Sequence, residues 1–566
     1  MQCCQPCSVA GAPGNRGPLH FSLANVRSFT VVENLARSTI GSCLLLLILA
    51  AGTLFYQLGR LPLIGSDEPR YARIAGEMML ENRWVTPTLE GRPWLEKPPL
   101  YYWLTAPVFR LAGQGEAAAR LGPALAALWT ALVVYWLGGV LWNRLTGLIG
   151  ASALLTMVGF AAFGRSASTD MPMAACMTTG LAALAVAAVR EDQPLWRVLA
   201  GYVFLGLAIL AKGPVALVLA VGIGACYWAL RDRWYLTRWH PIAGLLIVLA
   251  VSLPWFWLAF RQNGFGFILV FFVNHNLARY VTDIHHHTQP FYYYVPVTLG
   301  LIFPWSAWLL FTASGKALRA LRRWREWNPA NLFLGCWILF PLLFFSISRS
   351  KLPGYVVPVF PAIALLLGAK FAGWIEGGPS PRPGAALGHT MVSAAVGVGV
   401  LMALRARYGA GWWPGALIGA FTLLPALAGA IAAMRGRWRA VVAATTLQGL
   451  VSIMAFVVLA SPYLARTLSA RDIAFAALSS RSAGEEIATY KYFHHTLDYY
   501  TGYQVASDME NPAALEQFAE QRHQFLVVTQ EKWLAELQKL RCCTIQQLAE
   551  QGPLRLLRVT RNSSLQ

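Results

Sequence analysis

Charge is scarce in this 566-residue chain: 13% of its residues are charged, 56% are apolar, and the mean hydropathy is +0.48. That composition excludes a soluble globular domain of this length. The nine cysteines show neither zinc-finger spacing nor a disulfide framework, because several of them lie inside apolar runs. No cleavable signal pattern accompanies the first apolar run, which lacks a suitably placed small-residue cleavage site. We therefore predict a polytopic α-helical membrane protein.

The apolar residues are grouped into runs of about twenty, the length that crosses a bilayer as a helix. About thirteen such runs between residues 41 and 462 predict thirteen transmembrane helices. Residues 1–40 are expected to form a cytoplasmic N-terminal segment. Over 463–566 short strand-like stretches, among them 524–529 and 554–559, alternate with helical ones, which predicts a small C-terminal α/β domain. The predicted spans lie near 41–59, 119–142, 146–163, 170–189, 196–211, 214–230, 241–260, 291–314, 331–347, 355–373, 386–404, 412–433 and 440–460.

The net charge of +20 reports orientation rather than nucleic-acid binding. Basic residues concentrate in alternate short connections between spans, among them Arg144, Arg190, Arg238 and Arg435. Because short cytoplasmic loops are enriched in lysine and arginine, these connections are predicted to be cytoplasmic. The first loop, 60–118, and the C-terminal domain then lie on the opposite, external side.

The external connections hold nearly all of the residues that can do chemistry. Acids and bases crowd into the first loop at Gly65–Arg73 and Trp94–Pro99. Ionisable groups this close to a bilayer are costly, and so they predict a functional site. The candidates in this loop are Asp67, Arg70, Glu96 and Lys97. Later external connections add Asp170, His275, Lys351 and Tyr355.

Several of these candidates also have structural explanations. Apolar residues at a helical period predict a first-loop helix over 68–80. Asp67 stands next to the start of this helix and Asp170 at the start of a predicted span, where a carboxylate can cap backbone N–H groups without any catalytic role. Tyr355 fits an aromatic residue that anchors a helix at the membrane interface. The run His285–His287 is interpreted as a solvated loop, because adjacent histidines cannot all face one ion.

Three motifs carry a resemblance to a known family: Asp-Glu-Pro-Arg-Tyr-Ala from Asp67, Glu-Lys-Pro-Pro from Glu96, and Lys-Leu-Pro-Gly-Tyr-Val-Val-Pro-Val-Phe-Pro from Lys351. Together they resemble the 4-amino-4-deoxy-L-arabinose lipid A transferases. More broadly they are similar to bacterial relatives of the protein O-mannosyltransferases, membrane glycosyltransferases with the GT-C fold. The match in order and spacing covers roughly residues 41–375.

The resemblance implies a glycosyltransferase, more narrowly a pentosyltransferase, that uses a polyprenyl phosphate sugar donor. It implies transfer of 4-amino-4-deoxy-L-arabinose from undecaprenyl phosphate to phosphate groups of lipid A. The reaction would take place at the periplasmic face of the bacterial inner membrane, and it would confer resistance to polymyxin and other cationic antimicrobial peptides. The expected partners are the undecaprenyl-linked donor, lipid A and membrane lipid, without nucleic acid, and the protein is expected to be a monomer.

Roles for the candidates follow from the charge that this reaction develops. Cleavage leaves a polyprenyl phosphate, whose negative charge needs cationic and hydrogen-bonding partners. Asp67, by analogy with the family motif, would stabilise the positive charge at the sugar's anomeric carbon or orient the acceptor. Asp170 would hold the donor's amino group or position Asp67. The residues expected to bind the donor phosphate are Arg70, Lys97, Lys351 and Tyr355.

Glu96 and His275 suggest a divalent metal such as zinc, since carboxylate and imidazole are ordinary zinc ligands and a bridging ion suits a phosphate.

Two alternatives to the leading function stay open. In the first, the same fold transfers sugar from polyprenyl phosphate mannose, or a similar donor, to a protein or another glycan. In the second, the protein is a polyprenyl-lipid flippase, although transport predicts polar residues along the spans or an inverted repeat, and neither is evident.

Overall fold

The computed structural model describes residues 38–231, 235–282, 288–312 and 324–562. The chain divides into two compact units, Met1–Leu45 and Leu46–Gln566. In the first unit the described residues include the start of helix Thr39–Ala50. The second unit contains every other element considered below. Most of the predicted N-terminal segment 1–40 and the histidine run His285–His287 lie outside the described residues.

Long apolar helices dominate the second unit, as the composition predicts. Over the described ranges, nine helices are long and apolar enough to cross a membrane, or eleven if two bent helix pairs each count as one span. This confirms a multi-pass helical membrane protein. The nine helices are Glu116–Leu141, Asp170–Val189, Leu195–Lys212, Thr237–Asn263, Pro329–Ile347, Pro353–Ile375, Gly384–Tyr408, Trp412–Met434 and Trp438–Leu459.

The two bent pairs meet each other at their breaks. The chain bends by 68° between helices Arg144–Thr156 and Val158–Gly164, and by 118° between Phe291–Leu301 and Trp305–Phe311. At the first break the N–H of Val158 donates to the carbonyl of Phe303 at the second, 3.0 Å away. A backbone bond between two spans thus replaces a bond within one helix. Shorter apolar helices are Thr39–Phe55, Val215–Leu230 and Phe265–Val281.

The first external loop is folded around aromatic residues. It comprises helix Asp67–Glu81, the hairpin of β1 (Thr88–Leu89) and β2 (Arg92–Pro93), and helix Leu100–Ala112. Tyr71, Tyr101 and Tyr102 pack with their rings 5.6 to 6.2 Å apart at the centre of this loop.

The buried carboxylate of Glu77 ties the hairpin to the first helix of the loop. It accepts hydrogen bonds from the hydroxyl of Thr88 at 2.8 Å and the N–H of Glu90 at 2.8 Å. Because the hairpin is bonded to a side chain of the helix, the Glu96-Lys97 motif that follows the hairpin is held near helix Asp67–Glu81.

The C-terminal region folds around a five-stranded mixed sheet with the strand order β4-β3-β5-β7-β6. Strands β3, β4 and β5 are parallel neighbours, whereas β7 pairs antiparallel with β5 and β6. The strand segments predicted from the sequence, 524–529 and 554–559, fall within β5 and β7. The elements are Arg471–Ser480, β3 Ile487–Tyr490, His495–Tyr500, β4 Val505–Met509, Pro512–Gln521, β5 Gln524–Gln530, Leu534–Leu537, β6 Cys543–Gln551 and β7 Leu554–Arg561.

Helix His495–Tyr500 docks this C-terminal region onto the first loop. The hydroxyl of Tyr500 accepts from the N–H of Leu63 at 2.8 Å and donates to Glu116 at 3.0 Å. The guanidinium of Arg73 lies 4.3 Å from the ring centroid of Tyr503. These contacts hold the C-terminal region against the first loop.

Candidate functional site

Asp67 and Arg70 form an ion pair at the start of helix Asp67–Glu81. The Nη2 of Arg70 donates to Asp67 at 2.6 Å, and its Nε donates to the carbonyl of Ser66 at 2.9 Å. Ser66, not Asp67, occupies the N-cap position. The Asp67 side chain is 56% exposed and that of Arg70 19%. The carboxylate is thus paired with a cation yet open to a ligand.

The neighbouring Glu68 has a different environment. Its carboxylate accepts from Arg120 at 2.6 Å, from the N–H of Ile64 at 3.0 Å and from the N–H of Ala167 at 2.8 Å. The side chains of Glu68 and Arg120 are 7% and 3% exposed. Glu68 therefore joins the first loop to two other parts of the chain, a structural function that the charge pattern did not reveal.

Lys97 lies beside two further cations, Arg279 and Lys212. Burial lowers the pKa of Lys97 to about 8, and the positive charges of Arg279 and then Lys212 contribute, while Glu96 opposes the shift. The Nε of Arg279 is buried, and its N–H donates to no hydrogen-bond acceptor within the described ranges. Three cations that repel each other, one with an unused buried donor, form a suitable site for an anion.

Asp170 and Lys212 form a second ion pair, which joins the start of one apolar helix to the end of another. Lys212 is the last residue of helix Leu195–Lys212 and donates to the carboxylate of Asp170, the first residue of helix Asp170–Val189. Thr169 occupies the N-cap position of that second helix, so Asp170 is engaged by a cation instead. Its partner was visible in the sequence as a lysine in an external connection, but nothing in the spacing indicated the pairing.

The third motif approaches this ion pair closely. The ring centroid of Tyr355 lies 5.2 Å from the Nζ of Lys212. A Cβ on Gly354 would lie 3.4 Å from the carboxylate carbon of Asp170 and 3.1 Å from the ring of Phe163, so a larger side chain would crowd the pair. Lys351 is buried, and its ammonium group donates to the carbonyl of Ser348 in its own loop instead of contacting this ion pair. Burial lowers its pKa.

Glu96 and His275, predicted to bind a metal, do come together. The Nε2 of His275 and the Oε1 of Glu96 are 3.6 Å apart, and burial raises the pKa of Glu96. No group of three or more His, Cys, Asp and Glu side chains suited to a metal occurs in the described part of the chain. A metal here would have two protein ligands and would need oxygen atoms from substrate or water to complete its coordination.

A buried aromatic cluster supports the Glu96-Lys97 loop. Trp255, Phe256, Phe267 and Phe271 pack together, with Leu95 of that loop against them. Trp255, Phe267 and Phe271 are at most 5% exposed, so this cluster holds the loop from within the fold.

Comparisons with known proteins show which proteins this chain resembles in sequence and in fold. Residues 96–257 match the family described as dolichyl-phosphate-mannose-protein mannosyltransferase. Undecaprenyl phosphate-alpha-4-amino-4-deoxy-L-arabinose arabinosyl transferases are similar in sequence: the one from Erwinia tasmaniensis is 32% identical over 54% of this chain and 56% of its own length. That from Pectobacterium atrosepticum is 33% identical over 57% of this chain and 58% of its own. The matches thus span a little over half the length of these relatives.

Two solved structures share the fold. ArnT from Cupriavidus metallidurans bound to undecaprenyl phosphate is 24% identical, with a TM-score of 0.74 over 93% of this chain and 99% of that one. The same protein in the apo state is 23% identical, with a TM-score of 0.72 over 91% and 97%. The resemblance predicted from the three motifs is thereby confirmed, and this chain has the membrane-embedded helical fold of the ArnT structures.

Proposed function

We propose that this protein is a glycosyltransferase that moves 4-amino-4-deoxy-L-arabinose from undecaprenyl phosphate to a phosphate group of lipid A. The observation that carries the proposal is the cluster of Lys97, Arg279 and Lys212 beside Asp67 and Asp170, in the fold of a protein solved with undecaprenyl phosphate. The sequence similarity to arabinosyl transferases gives the sugar. Resistance to polymyxin would follow, because the added amine reduces the negative charge of lipid A.

The donor's phosphate would bind among the three cations. During transfer the bond between the anomeric carbon and the phosphate oxygen breaks, and the oxygen keeps the electron pair. Lys97 and Arg279 then stabilise the undecaprenyl phosphate that leaves, as preorganised charges do in a site that excludes water. Tyr355 and Lys351 would support this group from the third motif, Lys351 by shaping its loop.

The acceptor is an anionic phosphate, which needs no base to remove a proton. An acceptor oxygen forms the new bond to the anomeric carbon while the bond to the donor oxygen breaks. Positive charge develops on the sugar in this transition state. Asp67 is suited to stabilise that charge, because its carboxylate is open on one side. Asp170, neutralised by Lys212, would orient the sugar's amino group or fix Lys212 at the donor phosphate.

A divalent metal bound to Glu96 and His275 remains part of the proposal. Their separation of 3.6 Å allows both to contact one ion, and a phosphate oxygen could complete the coordination. Such an ion would add positive charge to the donor site. The roles of Asp67, Asp170, Arg70 and Lys97 do not require it.

The fold is proposed to cross the bacterial inner membrane thirteen times, with this site on the periplasmic side and the region 463–566 forming a periplasmic α/β domain. In support of the count, each predicted span falls on an apolar helix or on one bent helix pair. In support of the orientation, the basic connections Arg144, Arg190 and Arg435 lie at the ends of spans away from Asp170 and Lys212.

A protein or glycan acceptor is the second candidate, since residues 96–257 match a protein mannosyltransferase family. The test is incubation of the purified full chain with labelled undecaprenyl phosphate aminoarabinose and either lipid A or a Ser/Thr peptide. Labelled lipid A is expected from the wild type and from Lys539→Met, an exposed control, but not from Lys97→Met. Label on the peptide alone would favour the second candidate, and full activity of Lys97→Met would refute the site.

A further inference from the structure

One histidine of the C-terminal region belongs to neither the proposed donor site nor the metal pair. His495 is the first residue of helix His495–Tyr500, which is held on the first loop through Tyr500. That helix packs against helix Asp67–Glu81, and the charges of Arg70 and Asp67 both act on the imidazole of His495. The docking of the C-terminal region thus adds a side chain to the exposed edge of the first-loop ion pair.

We infer that His495 and Arg70 together bind the acceptor phosphate and hold it next to Asp67. This inference rests on the proposed function and specifies its acceptor site, and it assigns Arg70 to the acceptor phosphate instead of the donor phosphate expected from the family resemblance. Arg70 has five N–H donors, and within the described residues Ser66 and Asp67 engage two of these. The remaining donors and the imidazole provide the several hydrogen bonds that a phosphate requires.

The electrostatics favour a histidine over a second cation here. Burial lowers the pKa of His495 to about 4, and the charges of Arg70 and His494 contribute. The imidazole is therefore neutral near pH 7, when it still donates one hydrogen bond. It adds a donor for the phosphate without repelling Arg70.

Phe493 extends this edge with an apolar surface. Its side chain is 59% exposed, although it is a large aromatic group, and its ring meets that of His495 edge to face at 4.8 Å. A lipid acceptor brings acyl chains close to its phosphate, whereas free phosphate does not. The pairing of an exposed ring with a phosphate-binding group therefore favours a phospholipid-like headgroup as the ligand.

The two phosphates of the reaction then have separate partners. Lys97, Arg279 and Lys212 contact the donor, and Arg70 with His495 contacts the acceptor. Asp67 is paired with Arg70 at 2.6 Å, and its charge acts both on Lys97 and on His495. Binding of the acceptor would draw Arg70 toward the phosphate and release the carboxylate of Asp67 to face the sugar.

The test measures binding of lipid A, and separately of enzymatically dephosphorylated lipid A, to the full chain in nanodiscs without donor. His495→Ala should weaken binding of lipid A about tenfold or more, as loss of a hydrogen bond to a charged group does. His495→Gln, which keeps an N–H donor, should recover most of that loss. Dephosphorylated lipid A should bind weakly to all variants alike. His523→Ala, an exposed histidine of the same region, is the matched control.

Steady-state kinetics provide a second readout. The KM for lipid A should rise in His495→Ala while the KM for the donor stays within about twofold, as expected for a residue that contacts only the acceptor. Binding of lipid A within twofold of the wild type, equal changes in both KM values, or competition by inorganic phosphate as strong as that by lipid A would each overturn the inference. A wild type that binds lipid A in a His495-dependent way but transfers no sugar would refute the proposed function alone.

Discussion

Two adjacent carboxylates of the first loop, Asp67 and Glu68, belong to regions with opposite physical characters. Glu68 and Arg120 are almost completely buried, and backbone N–H groups satisfy the remaining oxygen lone pairs of the glutamate. Asp67 and Arg70 have a comparable ion pair of 2.6 Å, but more than half of the Asp67 side chain is exposed. The nitrogen–oxygen distance is 2.6 Å in both ion pairs, whereas their exposure to solvent differs.

A short ion pair therefore does not by itself identify a functional site. A buried pair surrounded by hydrogen bonds has no capacity for a ligand, and its loss affects folding. An open pair beside other cations keeps unused donors and acceptors, and its loss affects chemistry. The following predictions test that distinction, beginning with the largest expected effect.

Glu68→Ala should destabilise the protein by about 3–5 kcal/mol, because it leaves the buried charge of Arg120 without its partner. The expected result is a large fall in the thermal unfolding temperature or a loss of folded protein during purification. Glu81→Ala removes an exposed glutamate from the same helix and should change stability by less than about 0.5 kcal/mol. Equal unfolding temperatures for the two variants would break the comparison.

Asp67→Asn should lower kcat for sugar transfer by about 100- to 1,000-fold, the usual effect of removing a charge from the transition-state environment. Its unfolding temperature should remain close to that of the wild type, since the carboxylate is exposed. Labelled lipid A formation and thermal unfolding are measured on the same preparation. The control is Asp192→Asn, an exposed aspartate of a predicted cytoplasmic connection. Normal kcat in Asp67→Asn would remove Asp67 from the site.

Lys97→Met should weaken donor binding about 10- to 100-fold, because a charge-assisted contact to phosphate is lost. Wild-type donor affinity should also fall as pH rises through about 8, where Lys97 loses its proton, and the variant should lack this dependence. The measurement is donor binding between about pH 7 and about pH 9.

The unliganded protein should show the opposite trend in stability. The pKa of Lys97 in the fold is about 8, below its ordinary 10.5, so the unfolded chain binds more protons in that interval. The free energy of unfolding therefore increases as pH rises from about 8 toward 10.5. Below about pH 8 the buried, charged Lys97 lowers this free energy. Lys97→Met should remove this contribution, which is seen as a smaller pH slope of the unfolding free energy. An unchanged slope would contradict the lowered pKa.

Chelation of divalent metal should have the smallest effect, a fall in transfer of about tenfold or less, since only two protein ligands are available within the described residues. Glu96→Gln and His275→Ala should abolish any stimulation by zinc while Asp67-dependent activity persists. Zinc content of the purified protein, measured by elemental analysis, should decrease in both variants. Undiminished zinc in both would refute this pair as ligands.

Much of the fold was predictable because hydrophobic length is a local property of the chain. The predicted first-loop helix, 68–80, nearly coincides with Asp67–Glu81, and the predicted strands fall within β5 and β7. The break at Met157 was not predictable. There the N–H of Val158 donates to the carbonyl of Phe303 in the other bent pair, and no pattern within one span contains this distant partner.

The candidate residues could be named from the sequence, but their partners could not. Charges beside apolar runs indicated Asp67, Lys97 and Asp170, because such groups are rare near a bilayer without a function. The structure places Ser66 and Thr169 at the N-cap positions and pairs both carboxylates with cations. The partners Lys212 and Arg279, and the approach of His495, depend on packing between segments far apart in the chain.

The sequence alone thus determined that this protein is a membrane-embedded helical chain with its chemistry concentrated in a few connections. Apolar run length and charge placement are governed by the bilayer, which acts on each segment separately. Only the tertiary structure decided that Glu68 is structural while Asp67 is open, and that Lys97 has cationic neighbours. Burial, ion pairing and pKa depend on what distant segments bring to a residue, and that arrangement exists only in the folded chain.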